Sequence, residues 1–139
     1  MSVDLECAKE ILRSADHTCV LCREDMVLTT QERGILPLLR WLGTGADTSG
    51  CCAADKVVGK AAAFMYCLLG IRALYAGVLS QPALEVLQTA GIPVTYGTLV
   101  PAIRNRTGDG FCPMESAVRE ITEPQAAPEA IRNALRMLS

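Results

Sequence analysis

The stretch from Ile71 to Val100 leaves this chain few folds to choose from. "IRALYAGVLS" is rich in β-formers. "QPALEVLQTAG" has helical spacing, with Pro82 in its first turn and Gly91 just past its end, and "IPVTYGTLV" is β-rich again. With a helix between them, the two strands cannot close as a hairpin, so the second returns parallel to the first through a right-handed crossover. A parallel pair needs helices on its faces, and an α/β fold follows.

The remaining chain supplies the other pieces. Leu5, Ala8, Ile11 and Leu12 recur at helical spacing between Asp4 and Ser14, which predicts an amphipathic first helix. "HTCVLCR" and "MVLTT", separated by Glu24 and Asp25, read as two strands of a hairpin. "GILPLLRWLG" predicts a short apolar helix closed by Gly43, followed by a Gly/Thr/Ser/Asp loop. "CCAADKVV" is compatible with an extended run, and "GKAAAFMYCLLG" predicts a helix ending at Gly70, whose alanines allow close approach to a sheet. Another helix is expected from Cys112 to Ile121, and "PEAIRNALRMLS" places Ile131, Leu135 and Leu138 on one stripe. A hairpin is antiparallel and a crossover parallel, so the expected architecture is a three-layer α/β/α sandwich around a mixed sheet, formed by residues 1–139 as a single domain.

Composition narrows the function classes. The net charge is −2, with basic and acidic residues interspersed, which gives no electrostatic footprint for duplex nucleic acid. Half the residues are apolar, yet no apolar run is long enough to span a bilayer. The first ten residues lack a basic region followed by an apolar block, and the seven cysteines are irregularly spaced rather than set out as a disulfide framework. A cytoplasmic chain is expected, with a small anionic ligand as partner and a homodimer as an open alternative.

Ligands of such sheets bind outside the carboxyl ends of strands, beside helix N-termini. Two of these termini lie near Lys60 and Ser80. Lys60 is a cation where the helix macrodipole disfavours one, which fits a bound anion or an exposed terminus, while Gly59 permits a ligand near the backbone. In "RNRTGDGFCPMESAV", Arg104 and Arg106 can clamp phosphate or carboxylate, and Gly108 and Gly110 allow backbone amides to turn toward an anion. A solvated turn explains the same residues equally well. Cys112 begins the following helix, with Pro113 at its first position and Glu115 complementing the dipole at its third. A thiol there can be nucleophilic, or it can merely start the helix. The lone "CVLC" of Cys19 to Cys22 sends its sulfurs to opposite faces of a strand, which favours burial over chelation, and His17 has no motif partner.

"LYAGVLSQPALEVLQTAGIPVTYG" resembles the strand, helix and strand of the cytidine deaminase superfamily, whose zinc site follows an H-x-E…P-C-x-x-C pattern. The corresponding positions are Lys60-Ala61-Ala62 and Ser80 to Glu85, which hold neither thiol nor imidazole, so no metal site and no cofactor are expected. With "ADKVVGKAAA" and "RNRTGDGFCPME", the chain resembles over nearly its full length the DUF1893 family, a zinc-less branch of that fold. The resemblance implies architecture and carries no reaction. The expected function is binding of a nucleotide or ribosyl-phosphate ligand by Gly59, Lys60, Ser80, Arg104, Arg106, Gly108, Gly110, Cys112 and Glu115. Its alternatives are a thiol-dependent enzyme using Cys112 and a non-catalytic self-associating protein.

Overall fold

A computed structural model describes residues 3–45, 47–103 and 112–138. Along the chain run α1 (Val3–Ser14), β1 (Cys19–Arg23), β2 (Met26–Thr30), α2 (Leu36–Gly43), β3 (Cys52–Val58), α3 (Lys60–Leu69), β4 (Ala73–Ser80) and α4 (Gln81–Ala90). They are followed by β5 (Val94–Val100), α5 (Pro113–Ala117), a 3-10 turn at Pro124–Ala126, and α6 (Ala127–Leu138). The strands form one open, mixed five-stranded sheet in the order β2-β1-β3-β4-β5. β1 is antiparallel to both β2 and β3, whereas β3, β4 and β5 run parallel. The hairpin and the crossover predicted from local signals are therefore both present, and "CAADKVV" is the central strand between them.

Small side chains explain that central place. Cys52, Ala53 and Ala54 are fully buried, so helices can approach both faces of β3. Ala8 and Leu12 of α1 meet Val20, Cys22 and Ala54 on one face. Leu21, Ala53, Leu74 and Ala76 join Leu38, Phe64, Met65, Leu87 and Ile131 in the larger core on the other. The two cysteines of "CVLC" are divided as the strand period requires, Cys19 with the larger core and Cys22 with the smaller.

The alternation along the sheet slips at one level. On the side of α3, β3 presents Ala53, then Asp55, which bonds Tyr66, and then Val58; β4 presents Leu74, Ala76 and then Leu79. Each strand thus spends one extra residue between neighbouring inward positions, and at that level Gly77 sits so close to β3 that a Cβ would lie 2.8 Å from the Lys56 carbonyl oxygen. Asp55 faces inward by the ordinary alternation from Ala53, and the slip that follows it turns Val58, rather than the exposed Val57, into the core at the end of β3.

Helices α3 and α4 stop where predicted, at Gly70 and Gly91 in the left-handed conformation. The helix expected from Cys112 to Ile121 is shorter and ends at Ala117. Arg119 and Ile121 donate their amides to the carbonyls of Ser116 and Val118, three residues back, so the chain tightens into a turn that still buries Val118 and packs Met114 and Ile121 on the core. Among the described residues, no helix is long and apolar enough to cross a membrane.

Candidate functional site

The sheet changes direction at β3, which has an antiparallel neighbour on one side and a parallel one on the other. Open α/β sheets leave a crevice at the carboxyl end of such a strand. Here the crevice is a cavity of about 360 Å³, lined by the ends of β1, β2 and β3, by Pro37 and Leu38 of α2, by Ala61 and Ala62 of α3, and by Ile103, Cys112, Met114 and Glu115. Most of the wall is apolar. Its polar groups are therefore the ones that would orient a guest.

Asp55 is the chief of these. Its Oδ2 accepts a 2.6 Å hydrogen bond from the Tyr66 hydroxyl, and its Oδ1 accepts one of 3.2 Å from the Val57 amide. The Tyr66 oxygen also lies 3.0 Å from Cys19 Sγ, with either atom able to donate. Tyr66 is fully enclosed, while Asp55 retains partial access to solvent through the cavity that it lines. Burial pushes the Asp55 carboxyl up to about 6, against the downward pull of Tyr66 and of the Val57 and Lys56 amides. Burial, followed by the charge of Asp55, pushes the Cys19 thiol well up, and the same causes raise the Tyr66 hydroxyl.

The chain of three groups can therefore run in two directions. With Asp55 ionised, Tyr66 donates to the carboxylate and the Cys19 thiol donates to Tyr66. With Asp55 protonated, the carboxyl donates to Tyr66, whose hydroxyl turns to Cys19. Every member keeps a partner in both states, which lets a titrating carboxyl sit in an apolar wall. Tyr66→Phe deletes the shared hydroxyl. The variant should lose about 1–2 kcal/mol in urea denaturation at pH 7, and the Asp55 carboxyl should titrate higher still when followed by side-chain NMR.

Glu115 closes another side of the cavity. Helix α3 has Gly59 as its N-cap and so no capping side chain of its own. The Glu115 carboxylate fills that role from α5, accepting from the Lys60 amide at 2.7 Å and from the Ala61 amide at 3.0 Å. Gly59 makes the approach possible, because a Cβ there would lie 2.5 Å from Glu115 Cδ. The same carboxylate also borders a smaller cavity of about 180 Å³ with Lys60, Pro82, Ala102, Ser116 and Arg119.

Of the residues expected from sequence, Gly59, Cys112 and Glu115 line the larger cavity, and Lys60 lines the smaller one. The Lys60 ammonium donates to the Arg119 carbonyl at 3.0 Å and stands 5.6 Å from the centre of the Phe64 ring. Ser80 is buried, and its hydroxyl accepts the Ala83 amide at 3.2 Å as the N-cap of α4. Arg104, Arg106, Gly108 and Gly110 lie outside the described residues. Among the described residues, no group of three or more His, Cys, Asp or Glu is placed to hold a metal ion.

Comparison with known proteins bears on this geometry. The family model described as TM1506, Domain of unknown function (DUF1893), matches residues 7–135. The chain belongs to the DUF1893 family. The crystal structure of the DUF1893 family protein TM1506 from Thermotoga maritima is similar, with a TM-score of 0.83 and 25% identity, covering 99% of this chain and 92% of that one. No curated protein matches.

Within this DUF1893 chain, Asp55 and Cys19 line the cavity and Tyr66 stands behind them, although sequence alone leaves Asp55 open between an ion pair and solvent, reads Cys19 only as a buried strand residue and does not single out Tyr66. A signal existed: Asp55 is the one charge ahead of Lys56 in "CCAADKVV", a run otherwise small and apolar, and Tyr66 is the one hydroxyl in "AAAFMYCLL". Their meeting depends on α3 folding back over β3, and no local pattern encodes that contact.

Proposed function

We propose that this DUF1893 chain binds a small, partly planar molecule of nucleobase or nucleoside size, with a donor edge of the heterocycle on Asp55 and its flat face against the apolar wall. The observation that carries this reading is the Asp55 carboxyl, kept titratable near neutrality at the floor of a cavity otherwise fit for an apolar guest. A phosphate, where the ligand carries one, belongs on Arg104 and Arg106 rather than at the start of α3, where Glu115 already occupies two amides. Support comes from the residues on either side of that pair. Ile103 and Cys112 both line the cavity, and the Cys112 amide donates to the Ile103 carbonyl at 3.2 Å. On this reading, helices on both faces of the sheet make the three-layer sandwich of a cytidine deaminase-like fold, and the cavity is that fold's ligand pocket without its metal.

Calorimetry with a panel of nucleobases, nucleosides and nucleotides tests the proposal. Binding of the heterocycle should weaken about 10- to 100-fold in Asp55→Asn, which replaces one of two acceptors by a donor. Arg104→Ala with Arg106→Ala should remove only the gain due to phosphate, and Lys60→Ala should change little. A panel in which nothing binds, or binding indifferent to Asp55→Asn, refutes it.

A second reading rests on Cys112, a partly buried thiol that shares the cavity with Asp55. It requires Cys112 to be alkylated ahead of the exposed Cys7 near neutral pH, as read by mass spectrometry. Labelling led by Cys7 removes it.

A further inference from the structure

The face of the sheet away from the cavity holds a second group of reactive side chains. Cys22 on β1 and Cys52 on β3 are direct partners across the antiparallel ladder, so both project to the same side. On that side α1 lies across β1 and β3, with Ala8 and Leu12 meeting Val20, Cys22 and Ala54. Cys7 lies on the same stripe of α1, between Asp4, whose Oδ1 accepts from the Glu24 amide at 3.1 Å just past β1, and Ala8, which packs on Cys22, so it sits at the margin of this contact beside Cys22. The exposures differ sharply: Cys7 is exposed, Cys22 is 1% accessible and Cys52 fully enclosed. Arg72 directs its guanidinium to Cys52 Sγ at 3.6 Å and to Asp4 Oδ2 at 3.3 Å, which leaves Cys7 and Cys22 as the adjacent pair of which one meets solvent.

We propose that Cys7 and Cys22 form a reversible thiol–disulfide modification site, in which peroxide oxidises Cys7 and Cys22 resolves it, tying α1 to the sheet. In the first step the Cys7 sulfur displaces hydroxide from hydrogen peroxide. This gives Cys7 sulfenic acid and one water, and the peroxide takes up two electrons. In the second step Cys22 sulfur attacks Cys7 sulfur, the S–O bond breaks, and the hydroxyl leaves as water with the proton from the Cys22 thiol. Cys7 is the entry point because it is exposed. Cys22, shielded from outside oxidants, meets the solvent-exposed sulfur beside it, and that proximity compensates for a thiol that burial, first of all, together with neighbouring Cys7, Asp4 and Cys51, pushes up to about 12.

The test uses the reduced full-length chain and hydrogen peroxide. Tryptic peptides separated without reductant and sequenced by tandem mass spectrometry should show Cys7 joined to Cys22, with reversal by dithiothreitol. Because the bond closes a loop of about 15 residues, the oxidised chain should melt roughly 10 °C higher than the reduced one. Cys7→Ser, a change at an exposed position, should abolish the link, as should alkylation of Cys7 before oxidation. Sulfinic acid at Cys7 without a cross-link, a Cys22–Cys52 link in its place, or no oxidation at peroxide levels that oxidise free cysteine overturns the proposal. None of these outcomes depends on a ligand in the cavity.

Discussion

Asp55→Asn should stabilise the protein at pH 7 by up to about 3 kcal/mol and leave it nearly unchanged at pH 4. The sign follows from the carboxyl's position. In the unfolded chain an aspartate titrates near 4, whereas in the fold Asp55 titrates at about 6. Below pH 4 both states hold the proton, and the buried neutral acid costs little. Between pH 4 and 6 the folded chain keeps a proton that the unfolded chain has lost, so stability falls as pH rises. Above pH 6 the folded state carries a charge in an apolar wall, and the full difference, about two pH units at 1.36 kcal/mol each, is lost.

Asparagine has no such step. It also keeps the geometry, because its oxygen can accept from the Val57 amide while its NH₂ donates to Tyr66, whose hydroxyl then turns to Cys19 as it does beneath the protonated acid. Other acids titrate over the same range, so the informative quantity is the difference between the two chains, measured by urea denaturation at intervals from pH 4 to 8. A constant difference would mean that Asp55 titrates as an ordinary aspartate. A chain that retains a destabilising ionised group in place of an asparagine that fits better gives up stability at the site proposed to bind, the trade expected of functional positions.

The contrast between what sequence reveals and what it hides runs along the chain distance of each contact. Helix α4 is legible because its signals are local, Pro82 at its start and Gly91 at its end, whereas Ser80, expected among the ligand residues, spends its hydroxyl as the cap of that helix. The crossover followed from three adjacent segments. Cys112, Pro113 and Glu115 are legible as the start of a helix and Cys112 and Glu115 as candidate ligand residues, but the sequence assigns the Glu115 charge to the dipole of its own α5. Its carboxylate in fact caps α3, 55 positions earlier in the chain. For the start of α3 the sequence leaves open a bound anion or an exposed terminus near Lys60, and in the fold the Glu115 carboxylate takes the Lys60 and Ala61 amides. Tyr66 meets Asp55 across 11 positions and Cys19 across 47, so the floor of the cavity had no sequence motif to announce it.

The Glu115 contact yields the other large effect. Gly59→Ala should cost about 2–3 kcal/mol, although the backbone at Gly59, with φ −101° and ψ −175°, suits alanine as well as glycine. The cost arises from space. The added methyl would lie 2.6 Å from each Glu115 carboxylate oxygen, so the carboxylate must leave, and the Lys60 and Ala61 amides lose two charge-assisted hydrogen bonds. A double-mutant cycle separates this from any general intolerance of Gly59. In a Glu115→Ala background the methyl has nothing to strike, and Gly59→Ala should become neutral or stabilise by about 0.4–1 kcal/mol through the unfolded chain. Equal costs in both backgrounds would place the strain elsewhere than at the carboxylate. The coupling matters beyond stability, because Glu115 borders both cavities and α5 carries it: whatever dislodges the carboxylate bares the two amides of α3.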